Sequence, residues 1–215
     1  MPKSTFFNLP EEKRDAIISS ALEEFSSANY NLASINQICK RANIAKGSFY
    51  QYFRDKLDLY VYIMTIAINT KIEFFNTALE RFQTLSLFEQ IRLLFKKGLE
   101  FTKTYPMYAA LGEQFSKEND NIAKSAVLKE GEKKSSLFFV HMIDKAKSKG
   151  EIQDNVDTLA LSMLLQSLNQ TVIDYMMDKY NEINYEQYEE EVNQLVNSLL
   201  NIIFKGISNK DNFYR

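Results

Sequence analysis

Proline and glycine are scarce in this chain, and their scarcity restricts its possible folds more than any other feature of the sequence. Three prolines and six glycines occur among 215 residues. Proline removes a backbone hydrogen-bond donor and glycine adds conformational freedom, so both weaken helices, and here long segments can run without either. No hairpin dipeptide and no internal repeat interrupts the pattern. The sequence therefore predicts an all-α protein.

Apolar residues at helical spacing divide the chain into a group of short N-terminal helices and a series of longer ones. The first helix begins near Pro10 after Asn8 and Leu9 and ends about Ser27. Its predicted apolar face is Ile18, Ala21, Leu22 and Phe25, and Glu24 is expected to face solvent. The remaining predicted helices cover about residues 34–41, 45–53, 57–82, 87–102, 106–115, 121–149, 157–178 and 184–204.

Two of the short helices are joined by a tight turn. Ser34 is a suitable N-cap, and Gln37 three residues later completes a possible capping box. Ile38 and Cys39 face inward in the first of the two helices. In the second, Phe49 and Phe53 share one side at i and i+4, which leaves a polar outer side. The outer residues are Lys46, Ser48, Tyr50, Gln51 and Tyr52.

Charge is segregated along the chain although the net charge is only −2. Between Ser34 and Lys56 a single acid, Asp55, accompanies five cations, so this segment is basic and the remainder is acidic. The cations are Lys40, Arg41, Lys46, Arg54 and Lys56. Such segregation is typical of a small module that faces nucleic acid on an acidic body. The acidic run Glu189 to Glu191 is expected to be a solvated face.

The sequence offers few residues for catalysis or metal binding, since carboxylates are accompanied by one cysteine and one histidine and no Glu-x-x-His pair occurs, and no enzyme is predicted. The one cysteine, Cys39, cannot form an intrachain disulfide, and the one histidine, His141, excludes a paired-histidine zinc motif. We expect Cys39 to be a small buried side chain and His141 to lie at a helix surface or pocket edge. No cofactor or metal is predicted. Because no secretion signal or 20-residue apolar stretch is visible, we expect a cytoplasmic protein without a membrane partner.

The segment from Ser34 to Lys56 resembles the DNA-binding signature of the TetR family of regulators. The second half is the more specific part, Ala45-Lys46-Gly47-Ser48-Phe49-Tyr50-x-Tyr52-Phe53-x-Asp55-Lys56. Asn29 and Asn43 stand where the family usually has glycine, and asparagine can also adopt the left-handed conformation. Leu57 replaces the usual glutamate, and nothing in the sequence explains this difference. The resemblance implies a helix-turn-helix domain over residues 1–56 and a ligand-binding and dimerisation domain over 57–215.

The same resemblance implies roles in binding double-stranded operator DNA. Gln51 is the predicted base reader because its amide can pair with adenine through two hydrogen bonds, and Lys46 is a second candidate that would read guanine. Gly47 would allow close approach to the duplex. The predicted backbone-contacting residues are Ser34, Ser48, Tyr50, Tyr52 and Lys56.

A helix-turn-helix regulator usually binds as a two-fold dimer, because a monomer makes too few contacts. The last two helices resemble the family's four-helix interface between the subunits of a homodimer. The predicted interface residues are Leu161, Leu165, Leu168, Val172, Val192, Leu195 and Leu199, although some residues of these helices must face their own core.

The middle helices are rich in aromatic residues, and their place in the chain resembles the family's site for a small-molecule effector. We expect a largely apolar ligand, and release from DNA through the helix over residues 57–82. The predicted ligand-binding residues are Phe74, Phe101, Tyr105, Tyr108, Phe115, Phe139, Gln166 and Asn169. A helical interaction adaptor without DNA binding stays the alternative.

Overall fold

The computed structural model describes residues 1–76, 84–181, 184 and 187–207, and within these residues it contains ten α-helices and no β-strand. The predicted all-α fold is thus confirmed. The helices are α1 (Ser4–Phe7), α2 (Glu11–Ser27), α3 (Ile35–Arg41), α4 (Lys46–Tyr52), α5 (Lys56–Asn76), α6 (Leu87–Thr104), α7 (Pro106–Ser116), α8 (Asn121–Ser148), α9 (Thr158–Tyr180) and α10 (Glu189–Ile207).

Local signals in the sequence explain several helix ends. The Ser34 hydroxyl accepts a hydrogen bond of 3.4 Å from the Gln37 amide and so caps α3. Asn43, in the turn before α4, has the expected left-handed conformation with φ of 50°. Asn29 does not adopt it, and its side-chain oxygen instead accepts from the Leu32 amide. After α8, Gly150 has φ of 69°, which glycine adopts without steric cost.

The short helix α1 was not among the predicted elements. Phe6 anchors it and is fully buried, with its ring centroid 5.0 Å from that of Phe53 and 5.5 Å from that of Tyr62. The neighbouring residues Ser4 and Thr5 are exposed. A four-residue helix with a single buried ring carries no helical periodicity, so spacing alone could not reveal this element.

One compact unit comprises Met1–Glu73 and Thr102–Gly131. Its core joins the three helices of the predicted DNA-binding domain to the first part of α5 and to residues of α7 and α8. Cys39 is buried in it, as expected, and Phe49 and Phe53 face inward. The fully buried aromatic and aliphatic side chains of this unit include Phe6, Ile17, Phe25, Ile38, Phe49, Phe53, Leu59 and Leu111.

Glu24 corrects the expected orientation of α2. Glu24 is only 7% exposed, and its carboxylate accepts hydrogen bonds from the Ser34 amide at 2.7 Å and from the Arg41 guanidinium at 2.6 Å. The buried face is therefore turned toward Ile17, while Ile18 and Leu22 are only partly buried. A buried carboxylate is tolerated here because its oxygens have donors.

The second compact unit comprises Phe74–Phe101 and Glu132–Arg215, and α9 and α10 supply much of its core. This packing corrects the faces predicted for the last two helices. The side chains of Leu161, Leu165, Leu168, Val172 and Val192 are buried within the chain itself. Leu195 and Leu199 are partly buried against the same core.

A different set of apolar residues on α9 and α10 faces outward. Leu159 and Met163, one turn apart on α9, are 64% and 63% exposed, and Leu164 is also exposed. On α10 Ile202 is 70% exposed. The Gln153 amide donates to the Ile207 carbonyl, which brings the end of α10 beside the segment that leads into α9. These four residues, the outer α9–α10 face, thus lie toward the same end of the helix pair.

The predicted domain boundary between residues 56 and 57 stays a prediction. The predicted connecting helix is observed as α5 up to Asn76, and the rest of its predicted span lies outside the described residues. Among the helices that are described, none combines the length and apolar character that crossing a membrane would require.

Candidate nucleic-acid interface

The helix pair α3–α4 presents one polar outer surface. Phe49 anchors α4 in the core, whereas Lys46, Gly47, Tyr50 and Gln51 are exposed. Tyr50 is 45% exposed. On α3 the exposed residues are Asn36, Gln37 and Lys40. Four of the predicted DNA-contacting residues therefore share the accessible side of α4, and we name the exposed residues Lys46, Gly47, Tyr50 and Gln51 the α4 outer face.

Other predicted contact residues are less accessible. Tyr52 is only 6% exposed, and its ring packs 6.5 Å from that of Phe6. Ser48 and Ser34 are half-buried, and the Ser34 hydroxyl is occupied as the cap of α3. Tyr52 is therefore mainly a core residue, because only the edge of its side chain could reach a phosphate.

Lys56 occupies a different position from the one its predicted phosphate contact requires. Its ammonium group donates to the backbone carbonyls of Tyr30 at 2.6 Å, Asn31 at 3.2 Å and Ala33 at 3.0 Å. Burial lowers the pKa of Lys56, and the charges of Asp120, Glu118 and Glu24 oppose this shift. In this arrangement all three donors of the ammonium stabilise the loop between α2 and α3, so none is directed at a phosphate.

Ion pairs neutralise two of the cations in the basic segment between Ser34 and Lys56. Arg41 pairs with Glu24 at 2.6 Å, and Arg54 lies 3.3 Å from Asp55. Within the described residues Lys40 and Lys46 form no ion pair, and both are exposed. Because the Lys56 ammonium binds backbone carbonyls, the exposed positive charge of this segment that has no ion pair lies on the outer surface of α3 and α4.

Gly47 has no structural reason to be glycine. It lies in the first turn of α4 without a positive φ, and a Cβ added there would meet no atom within 4 Å. Glycine in a helix is less favourable than alanine by about 1 kcal/mol. The fold itself would accept alanine, so the absence of a side chain leaves space for something outside the chain.

The carboxyl end of α4 is closed by two residues that the sequence did not indicate. The Lys3 ammonium donates to the Tyr50 carbonyl at 2.8 Å, and the Lys3 amide donates to the Tyr52 carbonyl at 2.8 Å. The Thr5 hydroxyl donates to the Gln51 carbonyl. Lys3 and Thr5 thus bind the backbone of the same residues that form the end of the α4 outer face.

The predicted ligand-binding residues fall into both compact units. Tyr105, Tyr108 and Phe115 belong to the first unit, where Phe115 packs against the core and the rings of Tyr105 and Tyr108 lie 5.9 Å apart. In the second unit, Phe74 and Phe101 form an edge-to-face contact at 5.5 Å.

The remaining predicted ligand residues also belong to the second unit. Phe139 packs against its core, and the Gln166 amide donates to the Ser162 hydroxyl at 2.9 Å. The side chain of Asn169 lies outside the described residues. The structure brings Phe74 and Phe101 together in the second unit, and Tyr105 and Tyr108 in the first. His141 is exposed on α8.

Comparison with known proteins identifies the helix-turn-helix region. A family profile described as bacterial regulatory proteins of the tetR family matches residues 17–63. Along most of its length the chain is similar to the fatty acid metabolism regulator protein of Bacillus subtilis strain 168. The two are 24% identical over 200 residues, which cover 90% of this chain and 95% of that protein.

Solved structures extend the similarity to the whole fold. A TetR family transcriptional regulator from Chloroflexus aurantiacus is 26% identical, with a TM-score of 0.65 over 98% of this chain and 100% of its own. The transcriptional regulator FadR from Bacillus subtilis, solved with stearoyl-CoA, has a TM-score of 0.70 at 16% identity over 90% of this chain and 98% of its own. Residues 17–63 thus match the helix-turn-helix region of the TetR family, within an all-helical fold that the chain shares with TetR family transcriptional regulators.

Proposed function

We propose that this regulator is a repressor that binds palindromic operator DNA as a homodimer and is released by a small, largely apolar molecule. The observation that carries the DNA-binding part is the α4 outer face, where Lys46, Tyr50 and Gln51 are exposed around a glycine that the fold does not need. Exposed amide and cationic groups on a short helix suit the major groove. In this proposal Gln51 reads a base edge and Lys46 reads a second base or contacts a phosphate.

The proposed phosphate contacts follow the exposure of the side chains. Tyr50 is the accessible tyrosine of α4, and Lys40 on α3 adds an exposed cation without an ion pair among the described residues. Lys56 acts in this proposal as a positioning residue, because its ammonium stabilises the α2–α3 loop. Ser34 likewise positions α3 through its cap.

The proposed dimer interface is the outer α9–α10 face, Leu159, Met163, Leu164 and Ile202. Large apolar side chains exposed near one another commonly mark an interaction surface. A two-fold dimer would present two copies of α4, which must lie about 34–36 Å apart to meet successive turns of one duplex. Burial of the outer α9–α10 face between two copies would also remove these apolar side chains from water.

The effector proposed here is a ligand with a long acyl chain. The aromatic residues of the middle helices support an apolar ligand, and the similar Bacillus subtilis protein is a regulator of fatty acid metabolism. Phe74 and Phe101 contact each other, and the Lys97 ammonium lies 5.9 Å from the centre of the Phe74 ring. The Lys97 ammonium is paired with Glu100, so the apolar wall, and not this cation, is what supports an acyl chain as ligand.

Contacts within the first compact unit support a route for the effector signal in this proposal. At the end of α7 the buried Glu118 carboxylate accepts from the Tyr30 amide at 2.7 Å, in the loop that Lys56 also binds. Movement of α7, which carries Tyr108 and Phe115, would therefore pull on the entrance to the helix-turn-helix. Coupling of about 1–3 kcal/mol would lower operator affinity 5- to 150-fold.

Selection of duplexes from a random library tests the proposal. We expect the parent to enrich a palindromic sequence, and Gln51→Ala to bind that sequence about 1–3 kcal/mol more weakly and with relaxed preference at one base step. Lys40→Ala should weaken binding to selected and scrambled duplexes alike and reduce the dependence of affinity on salt. Gln194→Ala is the matched control, because it removes an exposed amide of α10, outside the α3–α4 surface.

Three outcomes would contradict the proposal. If the parent enriches no sequence, the chain acts as an adaptor and not as a DNA-binding regulator. If Gln51→Ala keeps the parent's base preference, α4 does not read sequence through Gln51. If stearoyl-CoA and shorter acyl-CoA thioesters leave the complex with the selected duplex unchanged, the proposed effector class is wrong.

A further inference from the structure

The recognition helix lacks a C-terminal cap of its own. The last four carbonyls of an α-helix have no partner within the helix, and glycine in a left-handed conformation commonly closes such ends. Here the residue after α4 is Phe53, which is extended with φ of −126° and ψ of 148°. Its amide binds the Phe49 carbonyl, so the carbonyls of Tyr50, Gln51 and Tyr52 need other donors.

The N-terminal segment supplies all three missing donors. Lys3 binds the Tyr50 carbonyl with its ammonium group and the Tyr52 carbonyl with its backbone amide, and Thr5 binds the Gln51 carbonyl with its hydroxyl. A cation at the carboxyl end also interacts favourably with the helix dipole. These contacts span more than 40 residues of sequence, so they fix α4 to a separate element and not only to its own turn.

The donors are held in place by an anchored segment. Phe6 is fully buried against Phe53 and Tyr62, and the Arg14 guanidinium of α2 donates to the Phe7 carbonyl at 2.9 Å. Lys3 and Thr5 are themselves exposed, so the fold does not require their side chains for its core. Phe6 therefore anchors the segment, whereas Lys3 and Thr5 cap α4.

We propose that Lys3 and Thr5 are positioning residues for DNA recognition, which close the carboxyl end of α4 and so fix the direction in which Tyr50 and Gln51 face the duplex. The inference rests on the proposed DNA binding. Because α4 has only seven residues, a frayed last turn would affect Tyr50 and Gln51 directly. The cap therefore preorganises the interface before DNA arrives.

Paired substitutions in the full chain test this role. Thr5→Val removes the hydroxyl at nearly constant shape, and Lys3→Met removes the ammonium. Each should weaken binding to the duplex that the parent selects by about two- to ten-fold, as expected for one hydrogen bond. Thr5→Ser and Lys3→Arg retain donors and should restore binding. Ser4→Ala is the control, because Ser4 is exposed and its hydroxyl has no partner among the described residues.

Amide hydrogen exchange in the free protein provides a second readout. Loss of the cap should accelerate exchange in the last turn of α4 and leave the amides of α2 unchanged. For Thr5→Val the dependence of affinity on salt should equal the parent's, because no charge is lost. A merely structural role would change the unfolding midpoint without changing affinity at a temperature where every variant is folded.

The outcomes separate this inference from the proposed function. If the parent selects no duplex, the proposed function fails, while exchange in α4 still tests the cap. If Thr5→Val binds the selected duplex as tightly as the parent and exchanges at the same rate, the positioning role is wrong although DNA binding stands. If Lys3→Met reduces the salt dependence but leaves exchange unchanged, Lys3 contacts phosphate and does not position α4.

Discussion

Residue spacing predicts the inward face of the helix pair α3–α4 better than that of the pair α9–α10. In α4 the aromatic Phe49 lies inward and Lys46, Tyr50 and Gln51 lie outward, as predicted, whereas Tyr52 is buried. In α9 apolar residues occupy both sides, because Leu161, Leu165 and Leu168 are buried whereas Leu159 and Met163 are exposed. Spacing identifies the inward face of a helix only when the opposite face is polar. For a helix with two apolar faces, the inward face can be assigned only when the neighbouring helices are known.

The largest effect expected from this comparison is at Leu168. Leu168→Ala should lower the free energy of unfolding by about 2–5 kcal/mol, because it opens a cavity in the core of the second unit. Denaturant unfolding followed by circular dichroism measures the change. Ile122→Ala, on an exposed part of α8, is the control and should change stability by less than about 0.5 kcal/mol. If Leu168→Ala leaves stability unchanged and weakens the dimer, Leu168 lies in the dimer interface and not in the core.

A charge on the opposite side of α9 should act on assembly. Met163→Glu places two like charges near the two-fold axis of the proposed dimer, so the mass in solution should fall from that of two chains to 25.0 kDa. Light scattering at micromolar concentration measures this. His141→Glu, an exposed charge outside α9 and α10, should leave the dimer intact. A parent that is itself monomeric, or a Met163→Glu variant that stays dimeric, would remove the outer α9–α10 face from the interface.

A smaller effect is expected from alanine substitutions at Gly47 and Gly150, which differ in backbone conformation. Gly47→Ala should raise the free energy of unfolding by up to about 1 kcal/mol, because alanine favours helix and the site has room. The same substitution should weaken binding to the selected duplex, since the added methyl occupies the approach to α4. Gly150→Ala should instead reduce stability, because φ is 69° there, and leave DNA affinity unchanged. If Gly47→Ala binds DNA normally, close approach at α4 is wrong.

The sequence predicted most helices and the outward side of α4, but it missed the polar contacts that hold the site together. Helix spacing and caps are local, so Ser34, Asn43 and Gly150 could be assigned from neighbouring residues. The contacts of Lys3 with Tyr50 and of Glu118 with Tyr30 join residues 47 and 88 positions apart. A backbone carbonyl or amide has no signature in the sequence. The partners of Lys3 and Glu118 therefore become visible only when the chain is folded.

Lys56 illustrates the same limit within the motif that carries the family resemblance. The residue type and position led to a predicted phosphate contact, whereas its ammonium binds three carbonyls of the α2–α3 loop. Glu24 differs in the same way, because a charged residue on α2 is buried with two donors. A charged side chain at a given helical position can face solvent, bind a ligand or bind backbone groups. The spacing of residues is the same in all three cases, so periodicity cannot distinguish these roles.

The smallest expected effect concerns Glu191, which the sequence placed on a solvated face of α10. Its carboxylate accepts from Lys179, Tyr175 and Tyr180 of α9. These hydrogen bonds, that from Lys179 first, lower the pKa of Glu191 from 4.5 to about 2. A carboxyl group with a depressed pKa stabilises the folded state above its ordinary pKa, and this contribution is lost as the pH falls through the folded value.

Glu191→Gln should therefore lower the thermal midpoint near neutral pH, and the difference from the parent should shrink as the pH falls from 4.5 toward about 2. The shift should be modest because the group is at the surface, where solvent screens ion pairs. Melting curves at several pH values measure it, and Glu190→Gln, an exposed neighbour, is the control. If the thermal midpoints of Glu191→Gln and the parent differ by the same amount down to low pH, the effect of the substitution does not come from the charge of Glu191. Ionisation of Glu191 would then not stabilise the contact between α9 and α10.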